Sequence, residues 1–307
     1  MKILVTGGAG FIGSHVVNTY INTGHDVIVI DDLSSGEKKF INPKANFYQL
    51  NIHAPEVRTI LEKEKITVIN HHAAQISVSK SFANPLFDAN SNIIGTLQLL
   101  QNAVSLGIKK FVFASTGGAM YGKQKSFPAS EEHSCQPLSP YGIAKLCAEN
   151  YINYFCMQHG LNTTILRYSN VYGPHQNPHG EAGVVAIFCQ RLIEGLPPII
   201  YGDGEQTRDF ISIRDITKAN TLALDPQCIG IFNVGTGNEI SVNFLTQSLL
   251  KIGELDIAVE HRPARKGEQR RSAIDSKKLL KSFGWKPDVS LEEGLVETFN
   301  YFKDKTN

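Results

Sequence analysis

Tyr141 and Lys145 stand one helical turn apart in Ser139-Pro140-Tyr141-Gly142-Ile143-Ala144-Lys145, so on a helix both project from one face. An ammonium beside a phenol favours the phenolate, and any further positive charge alongside would add to the effect. Tyr141 is therefore a candidate general base near neutral pH. Upstream, Phe111-Val112-Phe113-Ala114-Ser115-Thr116-Gly117-Gly118 ends an apolar run in two hydroxyls and two glycines. Thr116, with Ser115 in second place, can donate a hydrogen bond to a reacting oxygen and relay the tyrosine's proton. Each motif alone is weak, since Tyr-x-x-x-Lys arises by chance and Ser/Thr before glycine is an ordinary turn. Together they point to proton abstraction from a hydroxyl.

A second constellation, Thr6-Gly7-Gly8-Ala9-Gly10-Phe11-Ile12-Gly13, follows an apolar run and opens a helical segment. Gly7, Gly10 and Gly13 permit a tight turn, close approach of backbone to a pyrophosphate, and close packing of helix on strand. The helix start at Phe11 and Ile12 offers free amides and partial positive charge to phosphates. Asp31 closes the next apolar run, with Asp32 beside it. A carboxylate there accepts ribose hydroxyls and repels a 2′-phosphate. Lys38 and Lys39 read as solvated surface rather than as a 2′-phosphate site, so NAD is the expected cofactor.

Elements that place these residues follow from periodicity. Segments 2–6, 26–30, 47–51, 67–70, 110–115 and 163–168 read as buried parallel strands; 11–23, 56–64, 84–106 and 140–159 read as helices. That alternation predicts an α/β, Rossmann-type doubly wound parallel sheet with a smaller α/β substrate-binding domain. After Tyr168 the rhythm loosens through loops at 173–183, with helices expected at 184–194, 217–224, 241–252 and 291–302 and strands at 231–234 and 257–261. The expected division is 1–170 plus about 211–235 for NAD, and 171–210 plus 236–307 for the substrate. A chain of 307 residues with 42% hydrophobic content can bury such a core without staples.

Thirty Lys and Arg against 29 Asp and Glu leave a formal charge of +1, which gives no global field for nucleic acid or an anionic membrane. The five cysteines form no Cys-x-x-Cys pair, so neither a disulfide framework nor a zinc site is expected, and no metal is implied. Reduced thiols and the lack of a leader or apolar span lead to a cytoplasmic expectation.

Taken together, these residues resemble the NAD-dependent sugar epimerase/dehydratase group of the extended short-chain dehydrogenase/reductase superfamily, over nearly the whole chain. Further matches are Asn51-Ile52, where that group usually has Asp-Ile at the adenine; His71-His72-Ala73-Ala74-Gln75; and Asn92-Ile93-Ile94-Gly95-Thr96. The resemblance places His72, Ala73, Ala74, Gln75 and Asn92 at the cofactor. Arg167-Tyr168-Ser169-Asn170-Val171-Tyr172-Gly173-Pro174 resembles the strand-end signature, which implies Tyr168 near the nicotinamide and Asn170 near the substrate. Arg208-Asp209-Phe210 and Arg265-Lys266-Gly267-Glu268 resemble segments whose arginines hold a nucleotide pyrophosphate, a task suited to guanidinium forks. Asn51 departs from the usual Asp. Thr-Gly-Gly departs from a serine-rich strand end, and counting from the strand favours Thr116 over Ser115.

Related sugar dehydratases carry an Asp-Glu pair after the threonine, because elimination needs an extra acid and base; here Gly117 and Gly118 occupy those positions. The implied activity is a nucleotide-sugar 4-epimerase on UDP-glucose and UDP-galactose, with C4 oxidised transiently and reduced on its other face. Ser272 falls where the resemblance puts a wall of the sugar pocket, and its small size suggests room for UDP-GlcNAc and UDP-GalNAc. The alternatives are another dehydratase or reductase of the group, or a catalytically silent NAD-binding regulator. The resemblance also implies a homodimer through 84–106 and 140–159, with Phe87, Leu97, Tyr151 and Phe155 either on that interface or in the core.

Overall fold

A seven-stranded parallel sheet is the centre of the computed structural model, which describes residues 1–179, 183–264 and 269–306. In chain order, β1 (Lys2–Thr6), α1 (Phe11–Asn22), β2 (Asp26–Asp31), β3 (Asn46–Gln49), α2 (Glu56–Lys63) and β4 (Val68–His71) come first. Next are α3 (Val78–Ala83), α4 (Pro85–Ala89), α5 (Gly95–Ser105), β5 (Lys110–Thr116), α6 (Gly117–Met120), α7 (Pro140–His159) and β6 (Asn162–Tyr168). They are followed by β7 (Asn170–Tyr172), α8 (Val184–Ile193), β8 (Ile199–Tyr201), β9 (Thr207–Arg208), β10 (Phe210–Ser212), α9 (Ile213–Leu222) and β11 (Gly230–Val234). The chain continues with β12 (Ile240–Ser241), α10 (Val242–Gly253), β13 (Glu260–Arg262), α11 (Lys277–Phe283) and α12 (Leu291–Thr306).

The sheet runs β11-β6-β5-β4-β1-β2-β3. Helices cover both faces, so every residue of β1 and β4 except Lys2 is buried, the reason these strands read as unbroken apolar runs. Strand order reverses between β1 and β4, and such a switch point leaves a crevice at the carboxyl ends of the strands. There Thr6 pairs in register with His71, and farther along the sheet Ser115 pairs with Arg167 and Thr116 with Tyr168. A separate apolar cluster, including Phe188, Leu192, Leu245, Leu249, Leu295 and Phe302, binds α8, α10 and α12. The two-stranded pairs β7–β10, β8–β13 and β9–β12 complete that side.

The helices depart from the sequence-based reading in three places, the strand expected at 257–261 is Glu260–Arg262, and the short strands β7, β8, β9, β10 and β12 have no counterpart in the expected set. The helix expected over 84–106 is α4, a π-helical turn at Asn90–Ile94, and α5; hydrophobic period alone does not register the extra residue of a π turn. The helix expected at 217–224 begins at Ile213, because Ser212 caps it by accepting the Arg214 amide at 3.2 Å. The short helices α3, α6 and α11 add to the expected set, being too brief to establish a period.

Candidate active site

At the end of β1 the chain turns on Gly7 in a left-handed conformation (φ +70°), so close to β4 that a Cβ would lie 2.6 Å from the Ala73 amide nitrogen. At Gly13 a Cβ would stand 2.1 Å from the Gly7 carbonyl oxygen. Side chains at either position would displace α1 from the turn, so bare backbone faces whatever lies at the α1 N-terminus. Phe11 and Ile12 begin that helix, with Gly10 at its cap. Asp31 is buried at the end of β2, where its carboxylate accepts the Ala9 amide at 2.9 Å and the Leu33 amide at 2.8 Å. Burial pushes the Asp31 carboxyl up and the two amides oppose that. It is thus held beside the glycine turn with lone pairs to spare for a hydroxyl donor.

Asn51, the departure from the family pattern, donates to Asp32 Oδ2 at 2.7 Å. Partial burial opposes ionisation of Asp32, but bonds from Ser34 and Asn51 hold its carboxyl below its usual range. An aspartate at 51 would set a second negative charge there. Ile52 is buried, and Gly95 is pressed against it: a Cβ at Gly95 would lie 2.5 Å from Ile52 Cδ1.

Beyond β4, Ala73 and Ala74 lead to Gln75, which is held by the π turn. Asn92 accepts the Gln75 amide at 3.0 Å and donates to the Gln75 carbonyl at 2.9 Å; both side chains converge on Asp88 Oδ1. The His72 ring lies nearly parallel to that of Tyr168, with centroids 6.4 Å apart. Burial, helped by the charge of Lys145, takes the His72 imidazole down to about 3. The Tyr168 hydroxyl turns into a buried network, accepting from Asn220, which also links to Asn70 and Tyr20.

Tyr141 and Lys145 share one face of α7. Ser139 caps this helix by accepting the Gly142 amide at 3.1 Å, Pro140 occupies its first turn, and Gly160 ends it in a left-handed conformation. Gly142 abuts α6, where a Cβ would lie 2.9 Å from the Ala119 carbonyl oxygen; Tyr141 therefore sits beside the turn that Thr116 opens. Thr116 Oγ1 accepts the Ala119 amide at 3.2 Å, whereas Ser115 points away and donates to the buried Glu149 at 2.5 Å. Lys145 donates to the Ala114 carbonyl at 2.9 Å and lies over the Phe113 ring. Burial lowers Lys145 to about 8, against the pull of Glu149 and Asp88.

The expectation of a phenol acidified by its lysine includes the charge of a bound nicotinamide, and in the chain by itself other influences act on Tyr141. Burial raises the Tyr141 phenol above its usual range and Asp88 raises it further. Lys145 is engaged by the Ala114 carbonyl, and the Asp88 carboxylate of α4 acts on the phenol in the sense opposite to an ammonium.

On the substrate side, the open face of Gly118 is shared by Asn170 and Thr116: a Cβ there would lie 3.6 Å from Asn170 Oδ1 and 3.9 Å from Thr116 Oγ1. Gly117 could not bear a side chain without striking Ile274, whose Cδ1 would be 2.6 Å from its Cβ. Ser272 is buried two residues before Ile274. Arg208 is half-buried on β9 and donates to the Thr207 carbonyl at 2.8 Å. The adjoining Asp209 accepts the amides of Thr236 and Gly237, joining that segment to the end of β11. Arg265 and Glu268 lie outside the described residues.

Buried polar atoms with no partner among the described residues gather at this crevice: His72 Nε2, Asp88 Oδ2, Ser169 Oγ and Asn170 Oδ1. Such atoms are costly unless something bonds them. With the bare glycine turn and Asp31, they fit a dinucleotide and a polyhydroxylic substrate. Absent from the sequence-based reading is a buried ion pair behind the catalytic face: Glu149 of α7 and Arg167 of β6, 2.6 Å apart. Two signals could have found it, namely that Glu149 lies one turn beyond Lys145 on the same face and that Arg167 interrupts an apolar strand.

The profile of the NAD dependent epimerase/dehydratase family matches residues 3–235. The chain is 45% identical to a putative UDP-glucose 4-epimerase of Methanocaldococcus jannaschii, over 98% of each chain. Among solved structures, a UDP-glucose 4-epimerase of Thermotoga maritima with UDP-glucose is 47% identical over the whole of both chains, with a TM-score of 0.97. A UDP-glucose 4-epimerase of Thermus thermophilus in complex with NAD is 38% identical over 99% of each, with a TM-score of 0.93.

Proposed function

The chain belongs to the NAD dependent epimerase/dehydratase family, and from that premise we propose how its residues divide the work. It is an isomerase, a nucleotide-sugar 4-epimerase with NAD as cofactor. Gly7, Gly10, Gly13 and the α1 N-terminus hold the pyrophosphate, Asp31 the adenosine ribose, and Asp32, Asn51 and Ile52 the adenine side. His72, Ala73, Ala74, Gln75, Asn92 and Tyr168 form the nicotinamide side. NAD held there would supply hydride-transfer chemistry at the sugar's C4.

The chain's own part is proton transfer and orientation. Tyr141 takes the O4 proton and later gives it back, and Thr116 hydrogen-bonds that oxygen. Because burial and Asp88 hold the phenol protonated, ionisation requires compensating positive charge from Lys145 and from the oxidised cofactor. Gly117 and Asn170 flank the sugar. Arg208, Arg265 and Glu268 take the UDP, and Ser272 leaves room for a 2-acetamido group. Substrates are UDP-glucose and UDP-galactose, with UDP-GlcNAc and UDP-GalNAc besides.

The observation that carries this reading is the meeting of Thr116 and Asn170 around Gly118, with the α7 turn that bears Tyr141 packed against α6 through Gly142 and Ala119 and no acid pair at Gly117 and Gly118. Tyr141→Phe is expected to keep NAD and lose about 10²- to 10⁴-fold in turnover, the usual worth of a positioned base. Wild-type-like turnover would show that another group is the base. In a direct assay of all four sugars, activity confined to the two without N-acetyl groups would remove the role given to Ser272.

The sheet and the α8/α10/α12 cluster support dividing the chain into an NAD-binding part, 1–170 plus about 211–235, and a substrate-binding part. We place the enzyme in the cytoplasm on the strength of five cysteines that are all free thiols; among the described residues no helix is long and apolar enough to cross a membrane. It acts as a homodimer through the 84–106 segment, which holds α4, the π turn and α5, and through α7. Phe87 and Tyr151 are exposed there, with Leu86, Ile143 and Tyr154, while Phe155 and Leu97 belong to the core.

A further inference from the structure

Tyr141, Lys145 and Glu149 occupy successive turns of one face of α7, and the last two are only 3% and 1% exposed. The Glu149 carboxylate accepts Ser115 Oγ at 2.5 Å, Arg167 Nε at 3.0 Å and Arg167 Nη2 at 2.6 Å. Ser115 lies on β5 between Ala114, whose carbonyl holds Lys145, and Thr116. Arg167 is its register partner on β6, next to Tyr168. Arg167 also donates to the Tyr121 hydroxyl at 3.0 Å, which donates to Asn233 on β11 at 2.6 Å. One carboxylate therefore joins the helix of the base, the strand of the hydroxyl and the strand of Tyr168.

A buried ion pair is a poor device for stability alone, because apolar residues of similar volume commonly serve as well or better. Here the negative charge stands between two buried cations, Lys145 and Arg167, one turn of helix beyond the ammonium the base depends on. We propose that Glu149, anchored by Ser115 and Arg167, is a positioning residue of the epimerase, fixing the place and the positive charge of Lys145 and through it the ionisation of Tyr141.

Other groups act on Lys145 as well. Asp88 from α4 favours its charge; His71 and His72 of β4 are both held neutral, partly by Lys145 itself; Tyr141 is on its own helix. Removing the charge of Glu149 leaves Asp88, among the described residues, as the carboxylate opposing burial, so Lys145 gives up its proton at lower pH and the phenolate loses its counter-charge.

This inference rests on the roles given above to Tyr141 and Lys145. Glu149→Gln alone strands Arg167 as an unpaired buried cation, so the primary test is the double variant E149Q/R167M, with Ser115→Ala as a milder one that keeps both charges. The readouts are NAD content, thermal midpoint, and kcat and KM for UDP-glucose across pH. The folded double variant is expected to bind NAD, to keep KM within about threefold, to lose at least tenfold in kcat, and to show the alkaline limb of its kcat profile at lower pH. S115A is expected to move the same limb in the same direction by less, and it decides the matter if the double variant does not fold. A folded variant with kcat within twofold of wild type and an unmoved limb overturns the proposal. Tyr141→Phe is assayed in parallel: an active Y141F sinks the reading of the base and this inference with it, whereas an inactive Y141F beside an unaltered double variant sinks only the role of Glu149.

Discussion

His72 shows how the crevice constrains stability as well as chemistry. Its imidazole is taken down to about 3 by burial, whereas in the unfolded chain it titrates near 6.5. Between those values the unfolded state binds a proton that the folded state refuses, so stability falls with falling pH, by up to about 1.4 kcal/mol per pH unit for each such histidine. His71, also held well below its usual value by burial, acts in the same sense. The thermal midpoint is therefore expected to drop steadily below about pH 6.5, and His72→Asn to shallow that slope; parallel slopes would mean that His72 is already protonated in the folded protein. At this scale the glycine turn, Asp31 and the Tyr141–Lys145 pair are legible in the sequence because their meaning lies in local spacing. The different duties of Ser115 and Thr116 are not, because they depend on which way the end of β5 faces. Nor is the Glu149–Arg167 pair, whose members meet only once β6 has packed beside β5.

Among the elements, α7 can be bounded from sequence to the residue, since Ser139, Pro140 and Gly160 supply both of its ends. Ser139→Ala should cost about 1 kcal/mol, seen as a lower thermal midpoint with little change in KM. Gly142→Ala should be far worse for turnover than for helix propensity, because its methyl would meet Pro137 and the Ala119 carbonyl and push Tyr141 away from Thr116. Equal kcat in G142A and wild type would show that the α6–α7 contact does not set the site. The stretch 84–106 reads as one helix because its apolar spacing continues through the π turn. That turn places Asn92 where it holds Gln75 and Asp88 together, a functional placement typical of such turns.

For the molecule as a whole, the Rossmann class follows from alternation of strand and helix, and the seven-stranded sheet bears it out. The small β pairs beyond β6 escape a sequence reading because strands of two or three residues carry no period. The proposed dimer is testable at this scale. Leu86 is 82% exposed on α4 with Phe87 beside it, and large apolar side chains grouped on a surface mark an interface. Leu86→Glu with Phe87→Glu should convert dimers to monomers in sedimentation at micromolar concentration; a monomeric wild type would end the proposal.

The route of the chain through the central sheet also bears on how the protein is made. β11 pairs with β6, yet the stretch 169–229 comes between them in the chain. As the nascent polypeptide leaves the ribosome, β6 must wait with one edge unpaired while that excursion is synthesised. Open strand edges recruit other chains, so translation stalled or terminated before Gly230 should yield aggregates or chaperone clients rather than a half-built cofactor domain.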